Sequence, residues 1–109
     1  MSAERIKPIY SSRGNDPAVS EIVDRLVVTL GERIDDMQDA ESERDFDRIV
    51  VLAAALMENA QRAGFADLTG VARALEAASA GCDAEGTHAR LVELTEIAHR
   101  VRLGHKGSV

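Results

Sequence analysis

Residues 16–37 read DPAVSEIVDRLVVTLGERIDDM, and within them Val19, Ile22, Val23, Leu26, Val27, Leu30, Ile34 and Met37 recur at spacings of three and four. That period places all eight on one side of an α-helix, as a stripe about six turns long. Asp16 can cap the free amides of the first turn, and Pro17 suits the first helical position because its missing N–H would have had no partner there. The stretch is predicted to be an amphipathic helix with one face in a core.

The same period recurs downstream. The polar run Asp39 to Glu43 interrupts the stripe, Asp45 can cap a second helix, and Phe46, Ile49, Val50, Ala53, Leu56 and Ala60 then face inward as far as Gly64. Gly64 can adopt the left-handed conformation that ends a helix. Asp67 is expected to cap a third helix, with Leu68, Val71, Ala72, Leu75 and Ala78 on one face, Gly70 weakening it and Gly81 closing it. A fourth runs from about Ala84 to Leu103, with Leu91, Leu94, Thr95, Ala98 and Val101 inward and Gly104 as its stop. Four amphipathic helices joined by short polar turns predict an all-α, antiparallel up-down four-helix bundle over residues 16–104. Residues 1–15 read as an extended N-terminal arm in which Ile6, Ile9 and Tyr10 are placed to cover one end of the core. Residues 105–109 are expected to form a flexible tail.

Composition excludes several function classes. A chain of 109 residues forms one domain around one core. With 45% hydrophobic but only 3% aromatic residues, that core is aliphatic and offers few platforms on which bases would stack. A net charge of −6 opposes polyanions, so no nucleic-acid partner is expected. No segment approaches the roughly 20 apolar residues that span a bilayer. The lone Cys82 can form no intramolecular disulfide, and with no leader-like apolar run a cytoplasmic location is expected.

The second helix carries the most specific pattern, in the stretch Leu52 to Phe65, LAAALMENAQRAGF. Leu52, Ala53, Leu56, Gly64 and Phe65 match the frame of a helix reading Leu-Ala-His-x-Leu-Lys-Gly that ends in a Gly-Phe pair. In that respect the chain resembles the histidine phosphotransfer domain family. Further pieces in the same order support the likeness: Pro8 to Ser11, Asp16 with Pro17, Glu32 to Ile34, and Ala72 to Glu76. The resemblance implies a four-helix bundle with its active position on the outside of the second helix, where a receiver domain would reach it. Here that position departs from the family in three ways. Ala54 stands where the phosphorylatable His is required, Met57 where the frame has Lys, and Glu58 where it has Gly. A methyl group is no nucleophile, a thioether offers no cation, and an added carboxylate repels both a phosphoryl group and an acidic receiver site.

No other catalytic constellation replaces it. His88, His99 and His105 are too scattered for metal-ligand spacing, and Cys82 does not complete a set. The acidic block from Asp35 to Asp47 is interleaved with Arg44 and Arg48 and lacks calcium-loop spacing. No enzyme activity, catalytic residue, cofactor or metal is expected.

The outer face of the second helix remains informative, because Val50 to Met57 is apolar in every position. A bundle helix buries about half its circumference, so some of Val51, Ala54, Ala55 and Leu52 must point outward. A contact patch is expected there, formed by Asp47, Val51, Ala54, Ala55, Glu58, Gln61 and Arg62. The expected function is a non-catalytic, phosphotransfer-like module that regulates or scaffolds a two-component phosphorelay by binding a receiver or a histidine kinase. Two alternatives stand beside it: a helical module that forms a homodimer unrelated to signalling, and an active phosphotransfer protein that uses a different histidine.

Overall fold

The computed structural model describes residues 7–107 as four successive helices: α1 (Pro17–Ser42), α2 (Phe46–Ala63), α3 (Ala66–Ala80) and α4 (Ala84–Gly107). Each helix packs on its sequence neighbour, α1 closes the ring against α4, and no Cα atoms of the diagonal pairs come within 8 Å of each other. The connections, residues 43–45, 64–65 and 81–83, are too short to cross the bundle, so neighbours run antiparallel. The architecture is the all-α four-helix bundle that the apolar periodicity predicts.

The core follows the stripes. Leu30 and Met37 from α1, Ile49 and Leu56 from α2, Leu68 and Leu75 from α3, and Leu94 and Val101 from α4 are fully buried. Burying a side chain of this size contributes about 1.5–3 kcal/mol each. Ile22, Val23 and Phe46 pack at the edges of this cluster. At the end of α3 the buried residue is Ser79, whose Oγ donates to the Leu75 carbonyl at 2.8 Å and lies 3.4 Å from Thr87 Oγ1. Ala78 is only half-buried.

Two caps fall where expected. The Asp16 carboxylate accepts from the Ala18 N–H at 3.0 Å, and the Asp45 carboxylate from the Arg48 N–H at 3.1 Å. Asp67 caps nothing: it lies inside the first turn of α3, and Phe65, at the cap position, makes no side-chain cap bond. Asp83 supplies a cap for α4 instead, accepting from the Gly86 N–H at 3.0 Å.

The helix ends depart further from the glycine signals. α1 continues through the acidic run to Ser42, because charged side chains tolerate a helix surface and Ala40, three residues after Met37, extends the buried stripe. Arg44 then takes the left-handed conformation at φ 56°. Its N–H donates to the Glu41 carbonyl and that of Asp45 to the Ala40 carbonyl, both at 2.9 Å, the paired bonds of a Schellman turn. α3 ends the same way one residue later than expected: Cys82, not Gly81, is left-handed at φ 53°. The N–H groups of Cys82 and Asp83 donate to Ser79 and Ala78, each at 3.0 Å.

Gly104 does not stop α4. The helix runs to Gly107, so residues 105–107 are helical where the sequence predicts a tail, and residues 108–109 lie outside the described residues. Gly104 is buried because the arm crosses it; a Cβ there would lie 2.1 Å from the Ile9 carbonyl oxygen. The arm is stitched down on both sides. The Ile9 N–H donates to the Arg100 carbonyl and Arg100 Nε donates to the Lys7 carbonyl, both at 2.9 Å. At the α2–α3 corner the Ser12 N–H donates to the Gly64 carbonyl at 2.9 Å, and Ser11 Oγ donates to the Ala63 carbonyl. Ile9 packs on the core as expected, Tyr10 is 61% exposed and covers none of it, and Ile6 lies outside the described residues.

Candidate protein-binding face on the second helix

Packing against α1 and α3 sets the rotation of α2. Ile49, Ala53, Leu56, Ala60 and Ala63 are buried, which turns the opposite side to solvent. Asp47, Val51, Ala55, Glu58, Gln61 and Arg62 are exposed, and Val51 reaches 67%. Five of these, from Asp47 to Arg62, follow one another at intervals of three and four and form a column along the helix. Ala54 sits at its edge, half-buried. Leu52 and Met57 lie further round and pack against the core, which withdraws most of the Met57 side chain from any partner.

The column is apolar in the middle and charged at its ends. Asp47 stands in the first turn, where a carboxylate favours the positive helix terminus. Glu58 and Arg62 pair at 4.0 Å with both side chains largely exposed. An exposed pair at that distance contributes at most about 1 kcal/mol and is screened by salt. The two groups are therefore free to exchange each other for a partner's charges.

The positions that the resemblance singles out, Ala54, Met57 and Glu58, hold no histidine. The three histidines all lie on α4, diagonal to α2 in the bundle. His88 Nδ1 is 2.9 Å from Glu41 Oε2, and His105 Nε2 is 3.6 Å from Asp24 Oδ1. His99 is exposed on the outside of α4. Among the described residues no three His, Cys, Asp or Glu side chains are grouped to hold a metal ion, and no helix is long and apolar enough to cross a membrane. Cys82 is a free, exposed thiol at the α3–α4 turn.

No family model matches the chain, and neither the curated proteins nor the solved structures contain a match to it.

A second surface beside this column escaped the sequence reading. Arg25, Thr29 and Arg33 from α1 meet Asn59 and Arg62 from α2 across a shallow groove. The four-residue spacing of the α1 set is visible in the sequence, but its alignment with α2 depends on how the two helices pack.

Proposed function

We propose that the protein is a non-catalytic, phosphotransfer-like module that binds a receiver domain or a histidine kinase through the outer face of α2 and carries no phosphate. The observation behind this reading is the exposed apolar centre of that face, Val51 and Ala55, beside Ala54 at the position where the resemblance requires a histidine. An aliphatic side chain left in water on an otherwise well-packed helix gains free energy when a partner covers it, on the order of 1.5–3 kcal/mol for full burial. A receiver held there would not be relieved of its phosphoryl group by the family's route, since the face offers no imidazole to accept it. Its effect on a phosphorelay would be to sequester or scaffold. We expect incubation with kinase, receiver and phosphodonor to leave no acid-labile phosphate on this chain, and Ala54→Glu to abolish receiver or kinase capture. Capture that survives Ala54→Glu would place the interface elsewhere.

The same exposed Val51 supports a second reading, an isologous homodimer in which two copies of α2 cover each other. Light scattering separates the two: a dimer that dissociates on Val51→Glu favours self-association, and a strict monomer excludes it. The reading with a different phosphoacceptor rests on His99, the one histidine among the described residues that is exposed and has no hydrogen-bond partner. Phosphate that appears on the chain and disappears on His99→Ala would establish it.

A further inference from the structure

The groove between α1 and α2 encloses about 160 Å3 over the buried Leu26, and its walls carry Arg25 and Arg33 from α1 and Arg62 from α2, with Thr29 and Asn59 between them. No carboxylate lines it, in a chain with 19 acidic and 13 basic residues. Three arginines therefore line one concave surface, against the overall charge of the molecule.

Their present partners hold them loosely. Arg25 reaches Glu21 at 3.1 Å with side chains 76% and 82% exposed, and Arg62 reaches Glu58 at 4.0 Å. Arg33 has no carboxylate partner, and its Nε donates only to Thr29 Oγ1 at 3.4 Å. Exposed pairs of this kind exchange easily for a better acceptor. A guanidinium presents a planar fork matched to carboxylate or phosphate oxygens.

We infer that this groove takes the carboxylate side chains of an acidic helical segment on a partner protein. Its volume is below the roughly 300 Å3 of small-ligand pockets, and it is a partly open groove rather than an enclosed cavity, which suits side chains entering from a neighbouring surface. A nucleic acid or an anionic bilayer spreads its charge beyond the three arginines and meets the rest of a chain of net charge −6, whereas a short segment can confine its few carboxylates to the groove. No aromatic residue lines the groove for bases to stack on. Arg25, Thr29 and Arg33 repeat every four residues, about 6 Å apart along α1, so carboxylates repeated one turn apart on a partner helix match their spacing. Arg62 belongs both to this groove and to the α2 column, so the two surfaces adjoin. The inference holds for any acidic partner and does not require that partner to be a receiver or a kinase.

The test is a nuclear magnetic resonance titration of the full chain with the acetylated, amidated peptide EALAEALAEALAE, alongside KALAKALAKALAK and phenyl phosphate. The acidic peptide should shift the amides of Arg25, Thr29, Arg33, Asn59 and Arg62, and less so as salt is raised, whereas the lysine peptide should leave them in place. Arg33→Gln with Arg62→Gln should weaken the acidic peptide about tenfold or more. Arg25→Gln, at a side chain 76% exposed, should weaken it in the same direction without touching the packing. Absence of shifts at millimolar peptide, shifts centred on another surface, or affinity unchanged in these variants would overturn the inference. So would phenyl phosphate binding the groove more tightly than the peptide, which would mark it as a small-anion site.

Discussion

Among the described residues three end helices in the left-handed conformation, and only one of them is a glycine. For a residue with a Cβ that conformation costs about 1–2 kcal/mol, partly offset because glycine is harder to order from the unfolded chain. Arg44→Gly and Cys82→Gly should therefore each stabilise the protein by about 0.5–1 kcal/mol. Urea denaturation should show the midpoint rising with an unchanged slope. Gly64→Ala should do the opposite, by about 2 kcal/mol, since φ is 82° there and a Cβ would lie 2.9 Å from Ser11 Oγ and 3.0 Å from Ser12 Oγ. These positions also show why glycine misleads as a stop signal. Gly81 sits at φ −87°, where a side chain is tolerated, and the strain falls on Cys82. Gly104 answers to the arm, a segment remote in sequence that no local pattern around residue 104 reveals.

At the scale of the element, α2 combines a legible half with an illegible one. Ile49, Ala53, Leu56 and Ala60 follow the helical period and are all buried. Leu56→Ala should accordingly cost about 2–5 kcal/mol. The run from Val50 to Met57, by contrast, has no polar residue to fix its rotation, so the sequence required something apolar to face outward without saying which residue. Packing on α1 and α3 decides it: Val51 and Ala55 emerge, while Leu52 and Met57 turn toward the core. Val51→Glu should therefore change stability by no more than about 0.5 kcal/mol, because a two-thirds exposed side chain leaves no cavity. A larger loss in denaturant unfolding would mean that Val51 is packed. The groove arginines illustrate the same limit, since the α1 triplet is periodic but becomes a site only opposite Asn59 and Arg62.

Across the whole molecule, the arm and the α1–α4 seam close what the short turns leave open. The seam has no connecting loop and carries His88–Glu41 and His105–Asp24, 17 residues apart on α4 and equally far apart on α1. The arm ties the α2–α3 corner to α4, and Gly104 is where it must approach most closely. Gly104→Ala should release it, so that limited proteolysis cuts within residues 7–15 while the helices persist; an arm that stays protected would show that the Ile9 contact yields without detaching. Within this frame the outer face of α2 is exposed and carries no histidine, the two features on which the proposed role rests. The most direct measurement of that role is calorimetric titration of the wild-type chain and of Val51→Glu, the latter confirmed as folded, with the purified receiver and kinase domains of the source organism. Binding by the wild-type chain to at least one of them, lost in Val51→Glu, is the expected result. Equal binding by both chains, or no binding by either, would contradict it.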